Sequence, residues 1–190
     1  DMMDAAGQQV FANFQLPANE ISGDERCYSF ARGPVRIIAL DCNTWMVGDH
    51  FGEGHPTHTF LMEQLQAATE PWIVVASHYP MRSASRQGNS GELLRFLEPE
   101  LINAQVSLYL SGHDHCYQRF GPNAKAPVPL VVSGGGGKRL YAISENPRAR
   151  VGAEALHKAY HWCGAEVMGE KFRVVARDVE GHELDTFGLV

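Results

Sequence analysis

Four short segments of this chain are apolar with almost no interruption: residues 35–40 (VRIIAL), 72–76 (WIVVA), 106–110 (VSLYL) and 128–133 (VPLVVS). Each is rich in β-branched residues and too brief for a buried helix, the pattern of strands covered on both faces. Between the first two, Phe60, Leu61, Leu65 and Ala68 recur at helical spacing. That spacing predicts an amphipathic helix over 57–68, with threonines to cap its first turn and Pro71 just past its end. Between the second and third runs, Ser90 can cap a helix carrying Leu93, Leu94, Phe96 and Leu97, and Pro99 restarts a turn with Leu101 and Ile102. Strand, helix, strand, helix, strand is the order of an α/β sheet. The tail changes character: 162–167, 171–175 and 183–190 predict antiparallel strands, with turns at 168–171 and 180–182. The expectation is one domain over residues 1–190, built on a mixed sheet or two packed sheets with helices outside.

Composition narrows the class. With 190 residues, 44% of them hydrophobic and 20% charged, the chain can form a true core, which excludes a disordered, collagen-like or disulfide-held product. No apolar run approaches the roughly 20 residues that cross a bilayer. The opening Asp1-Met2-Met3-Asp4 has neither the basic region nor the apolar stretch of a signal peptide, so a soluble chain without a membrane role is expected. A net charge of −6 argues against a nucleic-acid binder that works through a broad basic surface. Cys27, Cys42, Cys116 and Cys163 lie far apart without a CxxC pair, and read as small buried thiols.

The candidate chemistry sits at two strand ends. WIVVA runs into Ser77-His78-Tyr79-Pro80, and VSLYL runs into Ser111-Gly112-His113-Asp114-His115. Ligand sites of open α/β sheets gather outside the carboxyl ends of the strands, so both histidine groups aim at one edge. His113 and His115 are two apart, so in extended backbone their rings point to the same side, with Gly112 allowing a sharp turn before them. Neutral imidazole is the commonest metal ligand, and three rings at one edge suit Zn, Fe or Mn.

Other features weigh less. The segment GGGGK at 134–138 fails the phosphate-loop spacing, since Val132 and Arg139 stand where Gly and Ser or Thr are needed. His50, His55 and His58 lie in a glycine-rich loop and read as exposed or as bordering a pocket. His157 and His161 are four apart, which suits one helical face, and with Cys163 they suggest a minor, separate zinc site. Asp41 ends a strand on the same edge and reads as a structural turn residue ahead of one that orients a ligand.

Ser77-His78-Tyr79-Pro80 and Gly112-His113-Asp114-His115 resemble the last two signature blocks of the calcineurin-like metallophosphoesterases. The surrounding text is similar to the purple acid phosphatase branch: Ala39-Leu40-Asp41, the helix with Phe60, Leu61 and Leu65, Tyr117-Gln118-Arg119, and Ser133-Gly134-Gly135-Gly136-Gly137. The resemblance runs from about residue 20 to the C-terminus. It implies an α/β fold of mixed or two-layer β-sandwich type flanked by helices (αββα), incomplete at its N-terminus. It also implies a phosphate-ester hydrolase with two divalent or trivalent metal ions (Fe, Mn or Zn), and a small phosphate ester as substrate. His78 and His113 would bind one metal and His115 the other, with Tyr79 and Tyr117 lining the pocket.

The family's earlier blocks, which supply the bridging Asp and the acid/base His, are not found. Gly23-Asp24 and Gly48-Asp49 continue wrongly, and Gly88-Asn89 is followed by Ser90. The resemblance therefore implies the C-terminal portion of a longer enzyme, partnered by an N-terminal segment of the same protein and inactive or weak alone. The rival expectation is a catalytically inactive metal-binding or interaction module, holding zinc through His113, His115 and Cys116.

Overall fold

The computed structural model describes residues 12–18, 25–42 and 52–189. A hairpin of β1 (Tyr28–Arg32) and β2 (Val35–Ala39) leads to helix α1 (Pro56–Ala67) and β3 (Trp72–Ala76). A π-helical turn, Leu93–Leu97, runs into α2 (Glu98–Asn103), followed by β4 (Leu108–Ser111), β5 (Tyr117–Phe120), β6 (Leu130–Ser133) and a 3₁₀ turn at Pro147–Arg150. The chain closes with β7 (Ala153–His157), β8 (His161–Met168), β9 (Lys171–Asp178) and β10 (Glu183–Leu189).

Two sheets result, a seven-stranded one in the order β1-β2-β3-β4-β6-β5-β7 and a three-stranded one in the order β10-β9-β8. In the larger sheet β2, β3, β4 and β6 are mutually parallel, while β1, β5 and β7 join antiparallel. Parallel neighbours end at the same edge, so β3, β4 and β6 deliver their following loops to one place.

The strands' alternation sorts side chains into two cores. One face of the large sheet, with Ile38, Val75, Tyr109 and Phe120, packs against Phe60 and Leu61 of α1 and against Leu93, Leu97 and Leu101. The other face, with Trp72, Val74, Leu108, Tyr117 and Val131, packs against Phe172, Val174, Ala176 and Leu189 of the small sheet. Trp72 meets Phe172 edge-on at 5.5 Å between ring centres. Helices, large sheet and small sheet thus form three layers.

Local details differ from the sequence reading for identifiable reasons. The cap of α1 is His55, whose Nδ1 accepts from the Thr57 N–H at 3.2 Å, while Thr57 Oγ1 donates to the Asp41 carbonyl. Ser90 does cap its segment, accepting from the Leu93 N–H at 3.3 Å. Pro99 has no N–H to bond back to residue 95, and the helix widens just before it, where the Glu98 N–H donates to Leu93 O. His157 and His161 share no helix: one ends β7 and the other begins β8. All four cysteines are free thiols, three of them buried.

Candidate metal centre

His78 follows β3, His113 and His115 follow β4, and the glycine run follows β6. Together with Gly112, Ser133, Lys138 and Tyr141, the three histidines line one cavity of about 490 Å³ at that edge. The chain reaches this arrangement through hydrogen-bonded loops. The Gly112 N–H donates to His78 O at 3.0 Å and the Ser77 N–H to Leu110 O at 3.0 Å, which locks the two histidine loops side by side.

The segment 112–116 is not extended. The Asp114 N–H donates to Gly112 O at 2.7 Å, and the Cys116 N–H donates to Asp114 O at 2.7 Å. These are two successive three-residue turns, each with a histidine at its centre. His113 takes φ 62, and Gly112, the residue read as the sharp turn, is not the one at positive φ. The rings consequently diverge. His113 Nδ1 faces His78 Nε2 at 3.2 Å, whereas His115 Nδ1 meets the Arg139 carbonyl at 2.9 Å with its ring 4.2 Å from that of Tyr141.

This donor set fits metal ions. Two nitrogens at 2.0–2.1 Å from a tetrahedral zinc stand about 3.3 Å apart, close to the observed separation. Burial, then the neighbouring charge of His113, pushes His78 down to about 4, and burial also lowers His113. Both rings are neutral at ordinary pH and keep their lone pairs. A carbonyl only accepts, so His115 Nδ1 carries the proton and its Nε2 keeps the lone pair, the arrangement usual for a metal-ligating histidine. His115 does not close a tight triad with the other two. Among the described residues, the only set of three metal-ligating groups whose donor atoms all lie within 4.8 Å is Asp178, Glu180 and His182, on the β9–β10 turn.

Glycine is required at two points in the wall. A Cβ on Gly134 would lie 2.1 Å from Asp114 O, and one on Gly135 would lie 2.3 Å from His161 Nδ1. Neither neighbour has a Cβ's width to give. The run is a wedge between the histidine loop and the start of β8, not a phosphate loop.

The other sequence candidates fall as follows. Tyr79 stands behind the His78–His113 pair, with ring centres 4.5 Å from His113 and 5.1 Å from His78, and is not part of the cavity lining. Tyr117 does not reach the pocket: it is fully buried between the sheets and donates to Asp185 at 2.8 Å. Alternation along β5 turns it inward. Cys116 is buried as well. Burial pushes its thiol up to about 11, and Gln118 Nε2 lies 3.2 Å from its sulfur, so it is not available to complete a zinc site with His113 and His115. His161 Nδ1 meets Ala159 O and its Nε2 meets Ser133 Oγ, so its bonds are structural and no separate zinc site forms with His157 and Cys163. His55 caps a helix, His58 lies 3.8 Å from Glu100, and His50 lies outside the described residues. Asp41 is buried beyond β2, its N–H donating to Cys27 Sγ.

Sequence reasoning missed Arg139, Tyr141 and Lys138, which reach the site from an irregular segment without periodicity. It also missed Arg86, whose guanidinium sits 5.1 Å over the Tyr141 ring.

In sequence and in fold the chain is similar to purple acid phosphatases. It is 39% identical over 122 residues, 63% of its length, to purple acid phosphatase 4 of Arabidopsis thaliana. A purple acid phosphatase from yellow lupin seeds superposes on 96% of the chain with TM-score 0.80 at 18% identity, using 35% of its own length. The anchor in the inner membrane complex of Plasmodium superposes on 86% with TM-score 0.65 at 20% identity, using 52% of its own length. No family model matches. The chain spans about a third (35%) of the length of the Arabidopsis relative. Among the described residues no helix is long and apolar enough to cross a membrane.

Proposed function

We propose that this chain supplies the three-histidine half of a dinuclear metal site that hydrolyses small phosphate esters. The observation that carries the reading is the His113 Nδ1 to His78 Nε2 separation of 3.2 Å, with His115 turned away by the Arg139 carbonyl. His78 and His113 hold one ion as a chelating pair, and His115 holds the other through Nε2. When bound, two such ions polarise phosphate oxygens and acidify water. The protein's own part is to fix three neutral donors at one strand edge and to bring cations to the rim. Lys138 on the lining and Arg86 over Tyr141 attract the phosphate dianion toward the cavity. Three histidines are only part of the ligand set the resemblance implies, so a further segment of the same protein completes the site in this reading.

The test is hydrolysis of p-nitrophenyl phosphate with Fe, Mn or Zn by this chain and by a form extended upstream. Weak or no turnover by the chain and strong turnover by the extended form are expected, both abolished by His113→Ala. Full turnover by the 190-residue chain would overturn the shared site, and no turnover by either would overturn the enzyme.

The fold similarity to a protein described as an anchor favours a second reading, a non-catalytic interaction module. It predicts no turnover by either form.

A further inference from the structure

Asp114 lies between two of the proposed ligands yet reaches neither the cavity nor solvent, being 0% exposed. Its backbone closes both histidine turns, the N–H for the turn centred on His113 and the carbonyl for the turn centred on His115. A non-glycine residue at the φ of His113 is strained and persists only where its surroundings impose it.

The Asp114 side chain supplies that restraint. Ser83 Oγ donates to Asp114 Oδ2 and accepts from the Ser85 N–H at 3.0 Å and from Gln118 Nε2 at 3.1 Å. A hydroxyl has one proton and two acceptor sites. With both acceptor sites filled, its proton is committed to Asp114. Gln118 is fixed in turn, its Oε1 accepting from the Ala84 N–H at 2.6 Å. Asp114 Oδ1 has no hydrogen-bond partner among the described residues, so the buried carboxyl depends on Ser83 alone. Ser83 belongs to the loop that follows His78. One buried network therefore grips the loops of all three histidines.

We propose that Asp114 and Ser83 form a clamp that sets the spacing of the three histidines for metal, with Asp114 a positioning residue and not a ligand. This rests on the reading that these histidines bind metal. The experiment titrates zinc alone into the metal-free protein by calorimetry, for the parent chain and for His113→Ala, Asp114→Ala, Asp114→Asn and Ser83→Ala, with thermal unfolding of each in the absence of metal. Loss of an outer partner of a metal ligand weakens affinity roughly 10–100-fold, and that loss is expected for Asp114→Ala and Ser83→Ala. Asp114→Asn keeps an oxygen that accepts from Ser83 and is expected to recover affinity to within about threefold of the parent. Asp114→Ala combined with Ser83→Ala is expected to weaken binding no more than the worse single change, because the two act as one unit.

Zinc affinity of folded Asp114→Ala and Ser83→Ala equal to that of the parent, with only unfolding temperature reduced, would overturn the clamp. If Asp114→Ala fails to fold, Ser83→Ala decides by the same criterion, and an Asp114→Asn protein that folds but binds zinc about 10-fold or more weakly than the parent would also overturn it. A parent whose zinc affinity is indifferent to His113→Ala would overturn the metal reading itself, a different result from affinity that depends on His113 but ignores Asp114 and Ser83.

Discussion

Asp185 on β10 is a polar fastener between the two sheets. It accepts from Tyr117 Oη at 2.8 Å and from Arg119 Nε and Nη2 at 2.6 and 3.2 Å, both donors on β5. The Arg119 and Asp185 side chains are 14% and 10% exposed, so the pair sits largely outside water. Asp185→Ala leaves a guanidinium and a phenol without their acceptor. Removing one partner of a buried pair costs about 3–5 kcal/mol. Arg119 keeps the Gly121 carbonyl at 3.3 Å and the Phe187 ring at 4.8 Å, which places the loss at the lower end, about 3 kcal/mol. With a urea slope of about 2 kcal/mol/M, the unfolding midpoint falls by about 1.5 M.

The pH dependence is a second arm of the same prediction. Burial alone would raise the Asp185 carboxyl, but the bonds from Arg119 and Tyr117 and the guanidinium charge outweigh it and hold it below the usual carboxylate value. A carboxyl lowered in the native state stabilises above its unfolded pKa and loses that contribution as pH falls through the native value. The gap between parent and Asp185→Ala is therefore level from about pH 5 to 8 and closes below about pH 4. A midpoint shift under about 0.3 M at pH 7, or a gap that persists unchanged at strongly acid pH, would refute the reasoning.

Gly134→Ala puts a Cβ 2.1 Å from the Asp114 carbonyl, and overpacking against backbone predicts a loss of about 3 kcal/mol with weakened zinc binding, checked by urea unfolding and calorimetry. Leu97→Ala, in the helix-side core at 0% exposure, is expected to cost about 3 kcal/mol while leaving zinc affinity of the folded fraction unchanged. His161 is lowered by burial, so the unfolded chain takes up a proton that the native state refuses, and stability declines as pH falls below about 6.5. His161→Asn removes that share and should give a shallower decline between about pH 6.5 and 5 in unfolding midpoints.

Where burial was achieved with apolar side chains, the strands were legible. Residues 72–76 are read from their pattern to the residue, and β2, β4 and β6 to within two residues. β5 was missed because Gln118 and Arg119 are buried by partners instead of by hydrophobicity: Gln118 meets Ala84 and Ser83, and Arg119 meets Asp185. Those partners are 34 to 66 residues away and leave no local trace. The edge strands β1 and β7, mostly half-buried or exposed, lack the apolar runs that marked the central strands. At the site, strand ends and residue types announced the histidines, but the direction of each ring came from two tight turns and an unusual φ that no spacing rule contains. Tyr117 shows the same limit: two residues past a candidate ligand in sequence, it opens β5 beyond the tight turn that aims His115 and packs between the two sheets instead of facing the pocket.

His78, His113 and His115 are the proposed metal ligands among the nine histidines of the chain. Substoichiometric Mn²⁺ added to ¹⁵N-labelled protein broadens the imidazole resonances nearest the ion. Broadening of His78, His113 and His115 first, with His182 spared, is expected. Broadening centred on His182, beside Asp178 and Glu180 on the β9–β10 turn, with the three strand-edge histidines unaffected, would contradict it.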